Sequence, residues 1–197
     1  LTVLMTSFTA GVSVVWDREF GFLREVLVAP ISRVAVATGK TLGGATIALI
    51  QGIVVLLFAP VFGVSIAPLV VLKLLPVMFL VACALSAMGI LLASRIKSME
   101  AHQVVMQFLM FPMIFLSGVF FPVNNLPGWM SVLVKINPVT YAVDPFRQLV
   151  LGEQASELFR LTVLGHTMSI ADDLLVVAAF GVVMTVLAMW SFNVQEY

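Results

Sequence analysis

The stretch Ala37-Thr38-Gly39-Lys40-Thr41 ends in the Gly-Lys-Thr of a phosphate-binding loop, and it comes nearest to a nucleotide site in this sequence. Such a loop needs a further glycine five positions before Gly39 so that backbone amides can wrap the phosphates, and Val34 stands there. The stretch also runs into a long apolar segment with no soluble strand before it, so nucleotide binding by this chain is rejected. His102 and His166 are far apart in sequence and fall at opposite membrane faces, so neither has a metal or acid–base partner. No serine sits in a Gly-x-Ser-x-Gly turn. The single Cys83 lies inside an apolar run with no second thiol nearby, and reads as a small core residue. The apolar runs carry almost no ionisable side chains, which are the default functional groups at membrane depth. Intramembrane catalysis and proton- or sodium-coupled carriage are therefore both disfavoured. The sequence points to no enzyme and no cofactor on this chain; energy for any movement of a solute has to come from elsewhere.

The elements that hold these residues are set by composition. Of 197 residues, 61% are hydrophobic and 10% charged, with zero formal net charge and a mean hydropathy of +1.14. Ordinary soluble domains carry about a quarter charged residues, so the surroundings of most of this chain must be lipid. The expected fold is all-α: one polytopic transmembrane bundle over residues 1–197, with spans at 1–15, 41–62, 69–93, 102–121 and 174–192. The first run, of roughly 15 residues, covers about 22 Å against an apolar bilayer core of about 30 Å. It is expected to be the remainder of a cut helix, with one span missing upstream and six in all. Arg18, Arg24, Arg33, Lys40, Arg95 and Lys97 crowd into two short connections. By the positive-inside rule that face is cytoplasmic, as is the C-terminus, in a cell (inner) membrane.

Two connections carry more information than the spans. Between Asp17 and Pro30, Phe20, Leu23 and Leu27 recur at helical spacing with Arg24 and Glu25 off that face, giving an amphipathic helix along the cytoplasmic interface. It is read either as a docking element or as a membrane-hugging loop that binds nothing. The outer connection, 122–173, contains Asn137-Pro138 and Asp144-Pro145, each a helix-start signal. Two short helices are expected, Pro138 to Val143 and Pro145 to Leu151, the second ended by Gly152, with Asp144 and Arg147 paired at the junction. Within the spans, Met106, Met110 and Met113 with Gln103 and Gln107 form a helical stripe, either plain packing or a path for apolar molecules of varied shape. Gly43, Gly44, Gly52 and Gly89 are expected to permit close helix approach.

The segment Trp16-Asp17-Arg18-Glu19-Phe20-Gly21-Phe22-Leu23-Arg24-Glu25-Val26-Leu27-Val28-Ala29-Pro30-Ile31-Ser32-Arg33, followed by Gly39-Lys40, resembles the first cytoplasmic loop of ABC-2 type permeases, closest to the daunorubicin-resistance and multidrug exporter branch. The stretch Ser117-Gly118-Val119-Phe120-Phe121-Pro122, then Leu126-Pro127, Asn137-Pro138-Val139-Thr140-Tyr141 and Asp144 to Arg147, is similar to the same family's signature near the last span. The resemblance implies a permease that exports hydrophobic or amphipathic small molecules or lipids, working as a dimer with two copies of a separate ATP-binding subunit that holds the ATP and Mg. It implies that Glu19, Phe20, Gly21, Phe22, Leu23, Arg24 and Glu25 form the coupling helix in a cleft of that ATPase. It further implies that Asn137, Pro138, Tyr141, Asp144, Pro145 and Arg147 build short re-entrant elements closing the outer end. The other reading is a membrane scaffold or assembly protein that transports nothing, which co-purification with an ATPase would separate from an exporter.

Overall fold

The computed structural model describes residues 1–22, 32–64, 66–96, 98–121, 126–156, 161–163 and 166–194. Within them the chain is almost entirely helical. The first two helices are α1 (Thr2–Thr9) and α2 (Val12–Glu19), followed by α3 (Arg33–Phe58), which runs on as a 3-10 turn over Ala59–Phe62. Then come α4 (Pro68–Arg95), α5 (Met99–Phe115), α6 (Gly128–Ile136), α7 (Pro138–Ser156) and α8 (Ile170–Val194). A two-residue antiparallel pairing, Thr162–Val163 with His166–Thr167, joins α7 to α8.

Among the described residues three stretches are long and apolar enough to cross a membrane: Arg33–Phe62, Pro68–Arg95 and Ile170–Phe192. Their outward faces are bare hydrocarbon: Leu57 is 73% exposed, Phe62 81% and Leu175 70%. A water-facing surface does not carry such side chains in rows, whereas lipid solvates them.

The helix ends differ from the sequence reading in physically informative ways. The first run does not stop at Val15: α1 and α2 follow one path to Glu19, with helical dihedrals through Ala10 (φ −54°, ψ −31°) and Gly11 (φ −61°, ψ −24°). Only the hydrogen-bond register slips there, Ala10 N donating to Ser7 O at 3.2 Å. Helix α3 begins at Arg33, well before the expected Thr41, because the Ser32 hydroxyl caps it by accepting from Ala35 N at 3.2 Å. A helix stops where its backbone groups find other partners, not where the bilayer ends. The predicted break at Asp144-Pro145 is absent: α7 runs through Pro145 and turns only at Gly152 (φ 74°, ψ 176°). Proline's ring forfeits one backbone bond and disfavours a helical residue before it. Burial of Val139 (0% exposed), Ala142 (1%) and Tyr141 (7%) in the bundle core outweighs that loss. Helix α6, expected as loop, starts after Pro127 and keeps Trp129, Val132 and Ile136 exposed.

Helix α4 is the axle of the bundle, packing against α1, α2, α3, α7 and α8. Its tightest crossing is made of backbone. A Cβ on Gly11 would lie 2.3 Å from Gly89 O, and one on Gly89 would lie 2.5 Å from Phe8 O. Gly44 and Gly52 likewise meet Ala10 and Met78, as their spacing suggested, but Gly43 has nothing within 4 Å. Around these crossings three apolar clusters form, centred on Phe8, Val81 and Leu85; on Val14, Ile90 and Phe192; and on Ala45, Leu74 and Met78.

Candidate coupling face and cap

Among the described residues four cations gather at one end of the bundle, and each has a defined partner. The Arg18 guanidinium, on the last turn of α2, donates to Ser94 O at 2.9 Å and to Ile96 O at 2.7 Å, the open carbonyls at the C-terminus of α4. Its neighbour Glu19 accepts from Met99 N at 2.8 Å, a free amide at the start of α5. Arg33, at the start of α3, donates to Phe192 O at 2.9 Å near the end of α8. Lys40 pairs with Asp17, linking α3 to α2, and Arg95 lies 5.4 Å over the Trp190 ring. Cations on helix C-terminal carbonyls and a carboxylate on N-terminal amides are the arrangements that helix dipoles favour. Ser94 and Ser191 close the set with hydroxyls 2.6 Å apart.

The connection between α2 and α3 is thus rooted on both sides in the ends of α4, α5 and α8. Of the expected coupling residues, Glu19 finishes α2, Phe20 is 80% exposed and Phe22 54%, and Gly21 takes a positive φ of 78° that turns the chain out of the helix. Leu23, Arg24 and Glu25, with the rest of the expected 17–30 helix beyond Phe22, lie outside the described residues. The roots Arg18 and Arg33 escaped sequence reasoning as clamps: both read as ordinary positive-inside charges, and only the carbonyls they face distinguish them.

At the opposite end, α7 caps α5 in a similar way. Helix α5 ends at Phe115, and its last carbonyls and those of the following turn are taken one after another by α7 side chains. Asn137 Nδ2 donates to Met113 O at 2.6 Å, Thr140 Oγ1 to Leu116 O at 3.3 Å, and Arg147 to Gly118 O. Asn137 also caps its own helix, Oδ1 accepting from Val139 N at 3.0 Å, while Pro138 sits where no amide partner is needed. Tyr141 Oη donates to Lys135 O at 2.6 Å, and burial pushes this phenol up, holding it as a neutral donor. The charge of Asp144 acts on Arg147, and Asp144 accepts from Gln148 Nε2 at 3.0 Å. Asn137, Pro138, Tyr141, Asp144, Pro145 and Arg147 therefore do share one structural unit, a single helix rather than two. Thr140 and Gln148 belong with them and went unnoticed, since a hydroxyl and an amide in mid-helix carry no pattern of their own.

The Met/Gln stripe of α5 is divided between two surfaces. Met106 is 7% exposed and Met110 and Met113 pack beside it in the core, whereas Gln103 and Gln107 lie on the exposed face with Phe108 (80%) and Phe111 (66%). Phe111 and Phe115 stack at 5.2 Å, and Phe115 reaches Phe120 at the same distance. A cavity of about 360 Å³ opens instead between α1 and α7, where Val3, Leu4, Val143, Phe146 and Val150 surround Arg147.

The sequence matches the model of the family described as ABC-2 type transporter over residues 1–151. It is 28% identical over 190 residues to the putative transport permease ycf38 of Cyanophora paradoxa, covering 92% of this chain and 64% of that protein. It is 26% identical to the probable multidrug ABC transporter permease YbhR of Escherichia coli (80% and 43% covered) and 32% identical to the inner membrane transport permease YadH of the same species (66% and 50%). The chain thus spans between two fifths and two thirds of the length of these relatives. With a family model covering most of its length and a bundle of apolar helices bound at both ends by polar clamps, this chain belongs to the ABC-2 type transporter family of membrane proteins.

Proposed function

We propose that this chain is membrane-spanning permease sequence from an ATP-driven exporter of hydrophobic or amphipathic small molecules or lipids, its ATP hydrolysed on a separate subunit. In this reading the basic end is cytoplasmic and the 17–30 connection is the coupling helix that the ATPase grips. Helices α1–α2, α3, α4, α5 and α8 are spans, and α7 is the outer closure. A second copy of the permease, or a related one, completes the pathway.

The observation that carries the reading is the rooting of the α2–α3 connection. Displacing the loop drags Arg18 and Glu19 on one side and Arg33 on the other. These side chains hold the ends of α4, α5 and α8 by charge-assisted bonds of about 1.5–3 kcal/mol each before solvent screening. Helix α5 packs Met106 into the core and is gripped at its far end by Asn137, Thr140 and Arg147. It is the element best placed to carry movement from the loop to the closure, as a rod passing between two states of the bundle.

The test uses the full-length permease with its ATPase in vesicles. The double charge reversal Glu19→Lys with Arg24→Glu should abolish export and substrate-stimulated ATP hydrolysis while leaving the helical content and membrane insertion unchanged. Normal export and normal stimulation in that variant would reject the coupling role.

A further inference from the structure

At the cap end, two carboxyl groups from different helices meet where solvent does not reach. Asp144 on α7 is 3% exposed and Asp173 on α8 is 0% exposed. Gln148, one turn beyond Asp144, sets its amide between them. Nε2 donates to Asp144 Oδ2 at 3.0 Å and lies 3.4 Å from Asp173 Oδ2 and 3.5 Å from Met168 O. The other oxygen of each acid, Oδ1 in both, is buried and has no hydrogen-bond partner. Both carboxyls thus meet at one amide nitrogen.

The charges around the pair do not balance if both acids are ionised. Arg147 on α7 faces Asp144. Asp172, next along α8, adds a second negative charge beside Asp173. Asp172 itself serves elsewhere, in a reciprocal cap with Ser169 (3.0 Å from Ser169 N) and a contact of 3.2 Å with His166 on the short strand pair. Tyr141 on α7 faces Asp173 with a neutral phenol, its hydroxyl spent on the backbone of Lys135 in α6. Lys73 on α4 is exposed. One guanidinium thus serves Asp144, and no described cation serves Asp173. Two bare carboxylates in contact inside a dry site repel strongly, and a buried charge without a partner costs several kcal/mol.

We propose that Asp144 and Asp173 hold one proton between them, and that this shared proton latches α7 onto α8 and keeps the cap closed. The pair then carries one negative charge instead of two, with the Gln148 amide between the carboxyls. When the proton leaves, the pair gains a second charge in a place without water, and α7 is driven from α8. The folded state then binds a proton that the unfolded chain has already released, so stability falls as pH rises until the latch proton is lost.

The full-length permease in nanodiscs, taken from about pH 5 to about pH 9, tests this by its Tm. The wild type should lose stability steadily toward alkaline pH. Asp173→Asn, a neutral donor of nearly the same shape, should flatten that slope and exceed the wild type at the alkaline end. An unchanged slope in Asp173→Asn, or a Tm lowered equally at every pH, would overturn the proposal. So would a saturable rise of the wild-type Tm with sodium or calcium chloride at fixed ionic strength that Asp173→Asn abolishes, since a bound cation and not a proton would then neutralise the pair. If Asp173→Asn does not fold, the wild type at neutral pH must show the infrared C=O band of a protonated carboxylic acid that shifts in Asp144→Asn; absence of that band overturns the latch as well.

Discussion

Asn137 performs two tasks with one amide: its oxygen starts α7 and its nitrogen ends α5. Replacing it with alanine removes a helix cap and orphans the Met113 carbonyl at once. The expected loss is about 1–2 kcal/mol for the cap and about 1 kcal/mol more for the carbonyl, seen as a lowered Tm of the purified permease. Asn137→Asp keeps the acceptor and loses the donor, and should recover only the cap's share. The Asn-Pro pair was readable in the sequence because capping is local chemistry, and its role as a helix start follows from the residue types alone. The second task was not readable, since it depends on a carbonyl from a helix that lies 24 positions earlier. The same division separates Arg18 and Arg33, legible as charges and illegible as clamps, and it hides Asp173, which stands beside a capping residue of the same type yet turns inward.

Among the helices, α4 owes its central place to glycine. Leucine at Gly89 would have to displace the backbone of Phe8, so Gly89→Leu should fail to yield a monodisperse protein by fluorescence-detected size exclusion. Gly43→Leu meets open space and should behave as wild type; equal failure of both would mean that the crossing is not what the glycines serve. The expected spans 41–62, 69–93 and 174–192 fall on helices long and apolar enough to cross a membrane, because lipid demands continuous hydrogen-bonded backbone, whereas α5, at the expected 102–121 span, is a helix of 17 residues. Boundaries went astray where caps act against hydropathy, as at Ser32 ahead of α3. The passage of α7 through Pro145 could not be foreseen, since the burial that offsets the proline belongs to the neighbours and not to the segment. Whether 17–30 completes a separate helix beyond Phe22 lies outside the described residues.

Across the whole molecule, one surface stands apart from the lipid-like faces. Helix α5 exposes Gln103 and Gln107 in line with Phe108 and Phe111, and amides at membrane depth need polar partners or water. In the proposed dimer this face turns toward the second copy. Cysteine at Phe108, in a background with Cys83→Ala, should therefore give a cross-linked dimer in native membranes with a short bifunctional reagent. A monomer band alone would remove α5 from the subunit boundary. The meeting of Gly11 with Gly89 bears on how such an assembly could work. There the two main chains touch, while Phe8 and Val14 on either side interlock with Val81, Leu85 and Ile90, so neither helix turns over the other without breaking that packing. The crossing is a rivet that makes the two helices one body: a pull arriving at Arg18 is handed to α4 instead of being spent on turning one helix over the other.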